Sequence, residues 1–171
     1  PLIRVDGNGV SGASGLVLGS AADGSIIRGL IITRFQGDGI QVLSGADGVR
    51  IAGNWIGTAG TGTVGTGNTD EGIQLAGASA TIGGTGTYDR NVITNNGDEG
   101  ITIVGSGVTS HLIQGNYIGL DPDGSTGGGN TDVGLAIISG AGNTIGGTTA
   151  AARNVISKNY EGIEINTSDN V

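Results

Sequence analysis

Residues 142–165 read GNTIGGTTAAARNVISKNYEGIEI, and residues 79–103 read SATIGGTGTYDRNVITNNGDEGITI. Both run through TIGGT, RNVI and an asparagine-bearing turn to a glycine followed by apolar-x-apolar. Working outward, that last element recurs as GLVL (15–18), GIQV (39–42), GIQL (72–75), GITI (100–103), GLAI (134–137) and GIEI (162–165), at intervals of 24, 33, 28, 34 and 28 residues. A second element ends each time in isoleucine: IRGLII (27–32), IAGNWI (51–56) and IQGNYI (113–118). In the quoted stretches it is split by an insertion, from Ile82 to Ile93 and from Ile145 to Ile156. Self-similarity at a period of a few tens of residues is the mark of a repeat architecture.

Composition narrows the type of repeat. Glycine supplies 38 of 171 residues but proline only 2, which excludes collagen, and a 36% hydrophobic content argues against a disordered linker. The apolar residues are mostly Ile, Val and Leu, which favour strands, and no stretch holds a helical apolar spacing for three turns. Within each short apolar run the side chains alternate, so Ile40 and Val42 share one face and Gln41 takes the other. Three such runs per repeat, punctuated by Gly, Asn, Asp and Ser, describe one coil of a parallel β-helix. Coils stack about 4.8 Å apart, so roughly six make a rod of about 30 Å.

The expected fold is therefore all-β: a right-handed parallel β-helix of about six coils with three short strands each. It forms a single domain over 1–171, and its opening on Pro1 reads as a fragment of a longer array. The predicted core is three ladders: Leu16, Ile40, Ile73, Ile101, Leu135 and Ile163; Ile27, Ile51, Ile82, Ile113 and Ile145; and Ile32, Ile56, Ile93, Ile118 and Ile156. Asn54, Asn91, Asn116 and Asn154 recur at one position and are expected to bond the coils above and below, in a bend where asparagine also tolerates a left-handed backbone. The glycines are expected to supply positive φ at turns. Long loops are predicted at 57–71 and 119–133, and insertions at 83–90 and 146–152.

The IxGNxIG, GNTIGGTTAxARNVISxN and GIxI strings, with the opening PLIRVDG and the DGSIIRGLII stretch, resemble the parallel β-helix repeats of very large secreted or surface-attached bacterial proteins. The resemblance covers essentially the whole chain. It implies an extracellular or cell-surface solenoid and leaves activity open, since one fold hosts many functions. GNTDEG (67–72) and GDEG (97–100) are also similar to the carboxylate-bearing strands of polygalacturonases. That likeness implies Asp70 as general acid or base and Asp98 or Glu99 as its partner, because glycosidic cleavage needs one carboxyl to protonate the leaving oxygen and one to activate water. The chain departs from that family in lacking its glycine-flanked histidine and basic segment. GNTD also recurs at 129–132, obeying the repeat where a catalytic residue should interrupt it.

The acidic residues form a pattern of their own. Asp38, Glu71, Glu99 and Glu161 precede the GIxI glycines, and Asp70, Asp98 and Asp132 stand one place earlier. Stacked carboxylates about 4.8 Å apart repel by about 1 kcal/mol in water. Calcium, which takes six to eight oxygens, would relieve that repulsion; solvated turns that keep the rod soluble are the plainer reading. Asp70, Glu71, Asp98, Glu99 and Asp132 are the calcium candidates. Trp55 and Tyr117 share a repeat position and read either as wall packing or as a sugar-stacking platform. Arg90 and Arg153, which open the two RNVI strings, are expected on backbone carbonyls or the acidic row, and the one histidine, His111, at the surface.

A net charge of −8 with only seven Lys and Arg argues against nucleic acid or an anionic membrane as partner. No apolar run reaches membrane-spanning length. The open ends of a β-helix present unpaired strand edges, from which end-to-end self-association is expected. The reading adopted is a non-enzymatic structural or adhesive module of a bacterial extracellular protein. The alternative is a carbohydrate-active β-helix, a polysaccharide hydrolase or lyase working along the GIxI wall.

Overall fold

The computed structural model describes Pro1, residues 3–63 and residues 66–171; Leu2, in the opening segment, and Val64 and Gly65, in the predicted 57–71 loop, lie outside the described residues. The chain is a parallel β-solenoid with three walls. One wall stacks Ile3–Asp6, Leu30–Thr33, Trp55–Ile56, Val92–Ile93, Tyr117–Ile118 and Val155–Ile156. The GIxI wall stacks Leu16–Leu18, Ile40–Val42, Ile73–Leu75, Ile101–Ile103, Val133–Ile137 and Glu161–Ile165. The third stacks Ile26–Arg28, Arg50–Ala52, Thr81–Gly83, Leu112–Gln114 and Thr144–Ile145. The chain visits the walls in strict rotation, and each strand pairs in parallel with its counterpart one coil away. Among the described residues the helical content is one turn of 3-10 helix, Ala150–Ala152, inside the second insertion. No helix there is long and apolar enough to cross a membrane.

The three predicted ladders are the observed registers. Leu16 pairs with Ile40, then Ile73, Ile101, Leu135 and Ile163 in turn. Ile27 through Ile145 and Ile32 through Ile156 do the same on the other walls, and Val5 extends the latter column by one coil. Central rungs such as Ile56, Ile73, Ile93, Ile101 and Ile113 are wholly buried, whereas Ile163 and Ile165 on the last coil are 47% and 53% exposed. Each completely buried aliphatic side chain contributes about 1.5–3 kcal/mol. Stacking supplies that burial, because a single coil has nothing to cover its own rungs.

The glycine that opens each GIxI run has a different purpose from the expected one. Gly39, Gly72, Gly100 and Gly134 are absent from the positive-φ positions. They are glycine because the coils meet there: a β-carbon at Gly100 would lie 2.6 Å from the carbonyl oxygen of Gly134, 2.8 Å from the Asn130 amide nitrogen and 2.8 Å from an Ile118 methyl. Other glycines do supply positive φ at bends, as expected, among them Gly53 at +67° and Gly115 at +71°.

The asparagine column forms as expected at the bend between the third wall and the first. The Asn116 side-chain oxygen accepts from the Asn91 backbone N–H (3.3 Å) and side-chain amide (3.0 Å). Its own amide donates to the carbonyls of Ile82 (2.9 Å) and Gln114 (3.0 Å) and to the Asn154 side-chain oxygen (3.0 Å). Asn54 joins the same chain through Asn91. None of the four adopts the left-handed backbone; where that conformation occurs at this bend, the preceding glycine, 53 or 115, takes it.

Asn116→Ala would orphan several buried polar groups at once, each costing about 1–3 kcal/mol. We expect it to destabilise the protein by about 3 kcal/mol or more in chemical denaturation. Substitution of the exposed Asn8 by Ala should change stability by less than about 0.5 kcal/mol.

Candidate functional site

The acidic residues converge on the turn leading into the GIxI wall. Backbone bonds stack this turn coil on coil: Gly15 N–H to Asp38 (2.8 Å), Gly39 to Glu71 (2.9 Å), Gly72 to Glu99 (2.9 Å) and Gly100 to Val133 (2.9 Å). A neighbouring column carries Asp70, Asp98 and Asp132, with Asp132 N–H on the Asp98 carbonyl at 3.3 Å. Side-chain oxygens gather into two triads, Asp38–Asp70–Glu71 and Asp98–Glu99–Asp132, each with ligand atoms within 4.8 Å of one another. Asp38, not among the residues first put forward as metal ligands, completes the first triad. Glu161 continues the column but pairs with Val133, a valine where an acid would link it to the rest.

The triads are electrostatically frustrated. Among the described residues the guanidinium ion pairs are made to Asp6 and Asp89, none to the stripe. Asp38 is buried, and burial, with the Glu71 carboxylate beside it, pushes its carboxyl up to about 8. Burial also opposes ionisation of Glu71, but hydrogen bonds from Asp38 and Gln74 outweigh it and hold that carboxyl below its usual range. The pair thus shares one proton, carried by Asp38. The Gln74 amide donates to Glu71 at 3.1 Å and is itself met by Gln41 at 3.1 Å. In the second triad, burial and then the neighbouring negative charges raise Asp98 and push Glu99 up to about 7.

The structure therefore brings Asp70, Glu71, Asp98, Glu99 and Asp132 onto one stripe, with Asp70 and Asp98 exposed. Its oxygens are the kind a hard divalent cation takes. The asparagine of each GNTD string is structural. Asn68, Asn96, Asn130 and Asn159 form a second buried column, each amide donating to the next side-chain oxygen at 2.9 Å.

Trp55 and Tyr117 lie two rungs apart on the outer face of the first wall, with Val92 between them. They are not equivalent. The Arg90 guanidinium sits 4.0 Å from the centre of the Tyr117 ring, while its Nε donates to the Gly115 carbonyl at 3.1 Å. The Gly124 backbone closes on the same ring. Tyr117 is thereby packed, whereas Trp55 lines a surface groove of about 510 Å³ with Arg28, Gly53, Tyr88, Arg90 and Pro122. Arg90 fulfils the expectation of a backbone-carbonyl partner.

His111 overturns the expectation of a surface imidazole: it is 1% exposed. It occupies an asparagine's place in a third column. Its Nδ1 accepts from the Ala80 N–H (3.0 Å), and its backbone N–H donates to the Asn143 side-chain oxygen, while the Asn143 amide in turn reaches Asn170. With Nδ1 accepting, Nε2 carries the proton and has no partner among the described residues. Burial holds its pKa down to about 4.

These groups tilt the pH dependence in opposite directions. A depressed histidine means the unfolded chain binds the extra proton, so His111 costs stability as pH falls from about 6.5 towards 4. A raised carboxyl means the folded chain holds the proton, so Asp38 costs stability as pH rises towards 8. Asp38→Asn keeps a donor for Glu71 while removing that titration. It should raise the melting temperature at pH 8–9, leave it little changed at pH 5, and flatten the decline between; an unchanged profile would refute the shared proton. No family model, curated protein or solved structure matches the chain, so its function is read from this geometry.

Proposed function

We propose that the chain is a non-enzymatic structural or adhesive β-solenoid module of a bacterial extracellular protein. The observation that carries this reading is that the chemistry-bearing residues obey the repeat. The GNTD asparagines that resembled catalytic segments are rungs of a buried column, and the carboxylates beside them recur coil after coil. Three buried side-chain columns and three parallel sheets run along one axis. That construction gives a stiff rod whose flanks carry loops, and it suits the spacing and display of surfaces. The test is incubation with acidic polysaccharides followed by reducing-end and unsaturated-product assays. We expect no turnover; turnover abolished by Asp70→Asn would replace this reading with the hydrolase one.

A second reading is favoured by the two triads: the rod takes up calcium along the GIxI turn. Two clusters of three carboxyls within 4.8 Å, without an ion-paired guanidinium among the described residues, are costly when ionised. A divalent cation would offset that cost and displace the proton held by Asp38. At pH 8, millimolar calcium should raise the melting temperature by several degrees, and chelator should reverse the shift. The gain should shrink at pH 5, where proton and metal compete. A melting temperature indifferent to calcium at pH 8 removes this reading and leaves the spacer reading intact.

A further inference from the structure

We propose that the groove beside Trp55 binds a strand of a uronate-bearing polysaccharide, with a sugar ring on the Trp55 indole and its carboxylate on the Arg90 guanidinium. This goes beyond the structural reading and stands on a different face from the acidic stripe. The groove lies over the bend between the third and first walls, where the asparagine column fixes the coil spacing from inside. Its outer rim is made by the 84–90 insertion. Gly53 lets that insertion cross: its φ is +67°, and a β-carbon there would stand 2.5 Å from the Tyr88 carbonyl oxygen.

The chemistry of the rim is opposite in sign to that of the protein as a whole. Arg28 and Arg50 both pair with Asp89, at 3.2 and 2.8 Å, and Arg90 stands next to it in sequence. Two guanidiniums thus share one carboxylate, and Arg90 is left without an acidic partner among the described residues, on a chain of net charge −8. Arg90 is held in a fixed pose by the Tyr117 ring under its plane and by Gly115 on its Nε. Its terminal nitrogens have no hydrogen-bond partner among the described residues, and the side chain is exposed. The Pro122 loop also brings Asp123, but that carboxylate is taken up by the N–H groups of Ser125 and Thr126, each at 2.9 Å.

A guanidinium with free terminal nitrogens on a preorganised stem is a bidentate receptor for a carboxylate. A half-buried indole with the 79%-exposed Tyr88 nearby supplies apolar faces for sugar C–H groups. Arg90 also lines an adjoining groove of about 280 Å³ with Thr85, Thr87 and Gly115, so a chain of sugars has room to continue past the carboxylate. In this site Tyr117 is a positioning residue for Arg90, not a platform.

Trp55 is the one tryptophan in the chain, so its fluorescence reports on the groove directly. The experiment titrates the protein with galacturonate and mannuronate tetramers and with their fully methyl-esterified forms, in which each carboxylate loses its charge and gains a methyl group. At least one acid form should shift Trp55 emission saturably, with its ester at least tenfold weaker. Arg90→Met, which keeps the stem on Tyr117, should weaken the acid form at least tenfold while the circular dichroism spectrum stays unchanged. No response to either acid, equal response to acid and ester, or full affinity in a folded Arg90→Met variant would each overturn the proposal. If Arg90→Met fails to fold, the acid–ester comparison on the unaltered protein decides alone. Hydrolysis plays no part in the readout, so its outcome is separate from that of the spacer test.

Discussion

At every bend of this solenoid the chain leaves one wall for the next, and the peptide groups there fall out of sheet register. They are also buried, and a buried N–H or C=O without a partner costs about as much as a lost hydrogen bond. The asparagine columns meet that demand. Asn116 shows the full pattern: it accepts from the backbone N–H of the neighbouring coil and donates to a carbonyl of that coil and to the next asparagine. The aliphatic ladders provide most of the favourable free energy, but they slide easily on one another. Hydrogen bonds with fixed donors and acceptors at three bends set which residue lies above which.

That constraint also explains why coil length varies while register does not. Successive GIxI glycines are 24 to 34 residues apart, yet Ile40, Ile73, Ile101 and Leu135 remain paired rung for rung. Extra residues are extruded between columns, and the columns close again on the far side. The long loops are tied as well: Asp121 receives the Gly62 N–H at 2.9 Å and the Thr58 hydroxyl at 3.3 Å, joining the loops of two coils across the flank. Variation thus concentrates on the surface, where a guanidinium such as Arg90 can be placed without touching the core.

The walls were legible in the sequence because a period of two inside a strand and a period of one coil between strands both leave apolar marks. The first asparagine column was legible for the same reason, since GN or RN recurs two residues before the closing isoleucine in four coils, at Asn54, Asn91, Asn116 and Asn154. The second was less plain, because GNTD sets its asparagine beside an aspartate in a string like a catalytic segment; the signal that exposes it is an asparagine four residues before Gly72, Gly100 and Gly134. His111 was unreadable for a different reason. Its column has few asparagines, and nothing local tells an imidazole playing the part of an amide oxygen from one at the surface. The close packing at the GIxI glycines was not legible because sequence shows the residue and not the neighbour; its cause is the carbonyl of the next coil, some 30 residues away.

The two surfaces with chemistry on them stand in contrast. On the GIxI turn, repetition multiplies like charge: successive coils bring carboxylates together, and burial, with the Glu71 carboxylate beside it, pushes the Asp38 carboxyl up. On the first wall the outward column is mixed, with Ile31, Trp55, Val92 and Tyr117 in turn, and cations and aromatics collect beside it. A repeated feature in a solenoid has a sufficient explanation in stacking, because each copy is stabilised by its neighbours. Trp55, the one tryptophan, has no copy in the coils above and below, so like-on-like stacking does not account for it.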